Sequence, residues 1–185
     1  MDKVGLLSLA TALPPYTVEQ PVAKAKAREL FGGRKALFDR LAKVFDNAGI
    51  AQRSTVAPIG WYEGHHGWKE RNRVYLDACD ALFREVATKA IEQAGLKPSD
   101  IDGVVMVSTT GIATPSIEAR NGPAIGLRDD ARRVPIFGMG CAGGVNGLAT
   151  AARLAAAEAG SRWLFVTIET CSIAIRLDSD DPAAI

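Results

Sequence analysis

The residues of this chain best placed to do chemistry are Gly138-Met139-Gly140-Cys141-Ala142-Gly143-Gly144. They lie between an apolar run at 133–137 and a long stretch of helical character at 141–159. That order puts the Cys141 thiol at the first turn of a helix and at the carboxyl end of a strand, where open parallel sheets bind their ligands. The unpaired N–H groups of a helix start carry about half a positive charge and favour thiolate over thiol. The flanking glycines permit a sharp turn and leave room for a substrate. Spacing alone leaves two readings: a nucleophilic cysteine, or a glycine-rich turn holding a small buried one. Cys79 falls within a helical stretch and reads as core. Cys171 has neither a glycine turn nor a helix start beside it. His65 and His66 sit among Trp61, Tyr62 and Trp68 and read as structural. No Cys or carboxylate cluster has ligand spacing around them, so no metal site is expected.

The elements that must position Cys141 follow from periodicity. Residues 103–108 (GVVMVS) and 163–168 (WLFVTI) are continuous apolar runs, as strands buried on both faces should be. Residues 133–137 (RVPIF) make a third, with Pro135 pointing to an edge. Residues 116–125 read as a short helix. In 141–159 the positions Val145, Leu148, Ala149, Ala152, Ala155 and Ala156 share one face, and Gly160 stops the helix. The resulting β-α-β-α-β order implies an α/β fold with a parallel core and right-handed crossovers, covered by helices. Upstream, 71–94 reads as a long helix with Val74, Ala78, Leu82, Val86, Ala90 and Ala94 at i+4, closed by Gly95 and Pro98. Residues 22–31 and 34–48 read as helices parted by Gly32-Gly33, with Leu37, Leu41, Val44 and Phe45 on one face and Gly49 at the cap. Residues 4–9 (VGLLSL) read as a first strand. The tail at 176–185 (RLDSDDPAAI) carries no closing element, so the chain is expected to be cut within a domain.

Composition narrows the function. The chain has 185 residues, 48% apolar and 23% charged, which excludes disorder. Lysine and arginine number 22 against 21 acids, a net charge of +1, so no electrostatic case exists for nucleic acid or an acidic membrane. No apolar run reaches the ~20 residues of a membrane span. The start carries Asp2 beside Lys3 and lacks the basic n-region of a signal peptide. Three unpaired cysteines and no export signal point to the cytoplasm.

Segments 107–120 (VSTTGIATPSIEAR), 126–144 (GLRDDARRVPIFGMGCAGG) and 164–181 (LFVTIETCSIAIRLDSDD) resemble the type III polyketide synthases, the chalcone-synthase-like and alkylpyrone-synthase-like enzymes of the thiolase superfamily. The likeness covers nearly the whole of 1–185 as an N-terminal thiolase-like domain, with the C-terminal half absent. It implies an acyltransferase. A starter acyl group passes from CoA to Cys141, and malonyl-CoA extends it by decarboxylative Claisen condensation to pyrone, resorcinol or chalcone-type products. CoA thioesters are substrates, and no cofactor is implied. The family's catalytic His and Asn would lie in the absent half, so this fragment alone is expected to be inactive. The resemblance puts Thr109, Thr110, Cys171 and Ala174 on the cavity wall. Thr109 and Thr110 read equally well as strand-end hydrogen-bonding residues. Thr114, where many plant members have Met, would reach across a homodimer interface. Arg40 and Lys43 fall where CoA phosphates are met, with Asn47 in place of a third cation and Arg53 nearby; a solvated helix face is the other reading. Glu169 reads as structural. Two alternatives remain: a ketoacyl-ACP synthase III-like condensing enzyme, and a non-catalytic acyl-binding module.

Overall fold

A computed structural model describes residues 4–30, 38–40 and 42–175. Gly32-Gly33, Leu37, Leu41 and the 176–185 tail lie outside the described residues. The chain forms two compact units: Met1–Ala12 with Tyr75–Glu169, and Leu13–Val74 with Thr170–Ile185.

The first unit is built on three parallel strands in the order β4-β3-β5: β3 (Gly103–Val107), β4 (Arg132–Ile136) and β5 (Trp163–Thr167). All five residues of β3 are buried, which is why its sequence is an unbroken apolar run. Register pairs Val107 with Ile136 on one side and Thr167 on the other, so the three carboxyl ends lie level. β4 lies at an edge, where the missing N–H of Pro135 costs no ladder bond. At the opposite end Asp102 fastens the strand starts. Its backbone pairs with Arg132 N and Arg162 O, and its carboxylate accepts from Arg162 N (2.8 Å) and Arg128 (3.1 Å). The Arg162 amide bond and the Arg128 guanidinium hold that carboxyl below the usual range.

Helix α3 (Trp68–Gln93) gives this unit Tyr75 onward, α4 is Ile117–Ile125, and α5 is Gly143–Ala157. Gly95 follows α3 with φ +68°, the left-handed stop that the sequence implied. Arg120 pairs with Asp80 at 2.7 Å, and Asn121 joins Asp80 and Arg84, so α4 is tied to α3 by a polar cluster. The buried stripe of α3 is Tyr75, Cys79, Leu82, Phe83, Ala87 and Ile91, one position on from the expected series. Val74, Ala78, Val86 and Ala90 are half-buried at its margin.

Two further expectations for this unit need correction. The expected face of α5 is not the buried one: Val145 and Leu148 are 77% and 52% exposed, while Gly143, Gly147 and Ala151 are buried. Small residues spaced by four let the helix backbone lie against the sheet, which larger apolar side chains would prevent. Residues 4–9 form no strand. Leu6, Leu7 and Leu9 are exposed, and a run without a pairing partner cannot satisfy its backbone as a strand. It is held instead by Ser8 Oγ donating to Ala90 O at 2.7 Å.

In the second unit β1 (Tyr16–Glu19) pairs antiparallel with β2 (Gln52–Thr55). Helix α1 (Gln20–Leu30) follows β1 directly, and α2 (Lys43–Asn47) precedes β2. No residue of α2 is buried; Val44 is exposed, against the face expected for it. Phe38 is buried and its ring lies 6.3 Å from that of Phe45. Gly49, with φ +64°, turns the chain after α2.

Candidate active site

Parallel strands with level carboxyl ends bring three loops to one edge of the first unit: Ser108–Thr110 after β3, Phe137–Cys141 after β4, and Ile168–Glu169 after β5. Pairing extends past the strands, with Ser108 N on Ile136 O (3.3 Å) and Ile168 N on Val107 O (3.0 Å). The loop after β4 turns through Gly138 (φ +82°) and Gly140 (φ +53°), a conformation that side-chain-bearing residues rarely adopt. Gly140–Ala142 then form one 3-10 turn, which runs into α5. Cys141 sits in that turn and is exposed. The start of α5 is pressed onto the end of β3: a Cβ at Gly143 would lie 2.6 Å from Val107 Cγ1. The thiol is thus open to solvent, at the sheet's carboxyl edge and beside the positive end of a 15-residue helix. That disposes of the buried-cysteine reading.

The other loops are braced around this edge. Thr109 N–H donates to Glu169 Oε2 at 3.1 Å, joining the loops after β3 and β5. Glu169 therefore holds backbone, the structural part expected of it. Thr109 Oγ1 is buried without a hydrogen-bond partner among the described residues, and Thr110 is half-buried. Thr114 is exposed, and its bond to Pro115 is cis. Beneath the β3 loop, Tyr75 Oη donates to Ser108 Oγ at 2.9 Å, and burial raises the phenol well above its usual range. The same ring fills the space beside Gly111, where a Cβ would approach to 2.2 Å. Tyr75 was missed in the sequence, because a contact across 33 residues leaves no local signal.

Cys79 is wholly buried, and burial pushes its thiol up to about 12. Iodoacetamide at neutral pH is therefore expected to label Cys141 and Cys171 in the native protein and spare Cys79. Peptide mass mapping checks this; modification of Cys79 without denaturant would contradict the burial.

In the second unit Cys171 opens a 3-10 turn, Cys171–Ala174, contrary to the expectation that no helical start lies there. Cys171 and Ala174 are exposed and Ile173 is buried. Arg40 and Lys43 are exposed. A cleft of about 1210 Å³ in this unit is lined by residues of α1 and α2, among them the partners of the Lys24–Asp46 and Arg28–Asp39 ion pairs. Neither Arg40 nor Lys43 is among its lining residues. Arg53 donates to Gln20 Oε1 at 2.9 Å and lies 5.8 Å over the Phe45 ring, so it braces β2 against α1 and α2.

His66 stacks on Trp61 at 4.0 Å, with Nε2 2.7 Å from Trp61 O and Nδ1 2.8 Å from Glu70 Oε1. Its role is structural, as its aromatic surroundings suggested. The Glu70 carboxylate raises its pKa above 6.5, against partial desolvation and the nearby Arg71 charge. A raised pKa means that protonated His66 stabilises this unit below pH 6.5, and the contribution is lost as pH rises through the folded-state value. An NMR titration is expected to show a His66 midpoint above 6.5 that falls in Glu70→Gln; an unchanged midpoint would discount the pair. Among the described residues no group of three His, Cys, Asp or Glu could hold a metal ion, and no helix is long and apolar enough to cross a membrane.

Residues 3–184 match the family described as "Chalcone and stilbene synthases, N-terminal domain". The chain is 34% identical over 177 residues to 1,3,6,8-tetrahydroxynaphthalene synthase of Streptomyces peucetius subsp. caesius, covering 94% of this chain and 46% of that protein. It is 28% identical over 183 residues to type III polyketide synthase C of Arabidopsis thaliana, covering 94% and 48%. The crystal structure of 1,3,6,8-tetrahydroxynaphthalene synthase from Streptomyces coelicolor A3(2), described as a bacterial type III polyketide synthase, superposes with a TM-score of 0.86 at 25% identity, over 96% of this chain and 51% of that one. The chain spans about half the length of the relatives it matches. The fold is thus the α/β thiolase-like fold of those enzymes, and the chain belongs to the chalcone and stilbene synthase family through its N-terminal domain.

Proposed function

We propose that this chain is the nucleophile-bearing part of a type III polyketide synthase, an acyltransferase using CoA thioesters. The observation that carries the reading is the exposed Cys141 at the carboxyl edge of the parallel sheet, at the start of α5. The Cys141 sulfur attacks the carbonyl carbon of an acyl-CoA. A new C–S bond forms, the bond to CoA breaks, and CoA leaves as the thiol with a proton. Malonyl-CoA loses CO2, and the resulting enolate carbon attacks the acyl-Cys141 carbonyl. A C–C bond forms, and the Cys141 thiolate departs ready for another cycle.

Thr109, Thr110, Cys171 and Ala174 are proposed to line the cavity for the growing chain, and Arg40 and Lys43 to meet the CoA phosphates. Thr114 would reach towards a second copy in a homodimer. The His and Asn that complete such a site would belong to a second half, and the reaction is placed in the cytoplasm.

The experiment pairs the 185-residue chain with a full-length form carrying the second half its relatives possess. With acyl-CoA and malonyl-CoA, the full-length form is expected to carry an acyl group on Cys141 and to release cyclised polyketide. The short chain is expected to give no multiple-turnover product. Steady product from the short chain would overturn the division of labour, and use of malonyl-carrier protein in place of malonyl-CoA would overturn the substrate class.

A further inference from the structure

One side chain in the second unit holds the segment of Cys171 and Ala174 in place. Arg71, near the start of α3, donates from Nη1 to Ile173 O at 2.6 Å and to Ile175 O at 2.7 Å. Its Nε donates to His66 O at 2.7 Å, and its guanidinium lies 5.8 Å from the centre of the Trp61 ring. Beside it, Tyr62 Oη and Ser172 Oγ share a hydrogen bond of 2.8 Å.

The Cys171–Ala174 turn has little to hold it by itself. It carries the i→i+3 bonds Ile173 N to Thr170 O (3.1 Å) and Ile175 N to Ser172 O (3.4 Å), and one buried anchor, Ile173. A single 3-10 turn with two such bonds is marginal, so its position must be set from outside. Arg71 does so by gripping two carbonyls two residues apart, which fixes the course of the backbone from 173 to 175. A planar guanidinium can hold this arrangement while stacked near an aromatic face; an ammonium, a single point charge, cannot reproduce it.

We infer that Arg71, assisted by the Tyr62–Ser172 bond, is a positioning residue for the Cys171–Ala174 wall and sets the length of chain the site releases. This rests on the polyketide synthase reading and on Cys171 and Ala174 facing the growing chain. Arg71 does not touch the reacting atoms. It acts through the backbone that carries two wall residues, so it should alter the product ratio and not the loading of Cys141.

The test measures products of the full-length enzyme by mass spectrometry, with acylation of Cys141 followed separately. Arg71→Lys is expected to leave the rate of acylation within about twofold and to change the ratio of longer to shorter products by about three- to tenfold, the range of one or two hydrogen bonds. Tyr62→Phe and Ser172→Ala should each shift the ratio less. The double variant should shift it no further than either single one, because both remove the same bond. These two keep the question open to measurement if Arg71→Lys fails to fold. Unchanged ratios in all of them, while Ala174→Val does alter the products, would overturn the role of Arg71 and leave the synthase reading intact. Unchanged products in Ala174→Val as well would overturn the wall itself, and the inference with it.

Discussion

Replacing Cys141 with alanine in the full-length enzyme is expected to abolish polyketide formation, with a loss of at least about 10³-fold. The size of the effect follows from what the sulfur does. On the proposed mechanism, no covalent acyl-enzyme forms without it, and the extender enolate has no held electrophile to attack. Condensation would then need two CoA esters to meet in solution-like geometry, forfeiting the positioning advantage of an attached acyl group. Serine at 141 should do little better, because a hydroxyl is a much poorer nucleophile than a thiolate without a base beside it. Cys171→Ala is the control. That residue is also exposed but sits in the second unit's 3-10 turn. As a proposed wall residue, its loss should change the products, while the acyl group on Cys141 is expected to remain. Intact-mass analysis after incubation with acyl-CoA decides. An acyl adduct on Cys141→Ala, or one that moves with Cys171, would refute the assignment.

How much of this was legible in the sequence depends on the range of the signal. β3 was legible because both its faces are buried, so GVVMV reads as one apolar run. Cys141 was legible because glycines between an apolar run and a helical stretch mark a sharp strand-to-helix turn, and Gly138 and Gly140 take the left-handed conformation there. The β1–β2 pair was not legible. YTVE and QRST are mostly polar and exposed, and they pair across more than thirty residues, so neither carries a local strand pattern. The stretch 4–9 fails in the opposite direction: it has the apolar composition of a strand and no partner among the described residues. Arg71 and Tyr75 act through long-range bonds, which no periodicity announces. On α5, apolar size pointed to Val145 and Leu148, whereas the sheet selects for smallness.

That selection for smallness underlies the second large effect, a collapse of stability in Gly147→Val. A Cβ at 147 would lie 2.5 Å from Phe165 Cε2 and 2.6 Å from Val107 Cγ2, closer than carbon atoms can approach. Val107 is 1% exposed in the central strand and has no room to retreat. Relief must come from lifting α5 off β3 and β5, which strips apolar contact along the helix. Overpacking of this kind costs about 1–3 kcal/mol for a single added methyl group and more for a branched side chain. Gly147→Ala also gains about 1 kcal/mol of helix propensity, so its net loss should be up to about 2 kcal/mol; Gly147→Val should exceed about 3 kcal/mol. Gly144, one turn earlier, gives the contrast. A Cβ there meets nothing within 4 Å, so Gly144→Ala should keep the propensity gain and stabilise the protein by up to about 1 kcal/mol. Urea denaturation of the three variants separates the explanations, because propensity predicts the same sign at 144 and 147 and packing predicts opposite signs. Equal stability of the two alanine variants would show that the close approach of α5 to the sheet is not what holds the first unit together. The same approach fixes Cys141: the 3-10 turn that carries it runs straight into α5, and Gly143 rests on Val107 at the end of β3. Any variant that lifts the helix therefore displaces Cys141 from the sheet edge, so stability and the proposed acylation of Cys141 should fall together in Gly147→Val.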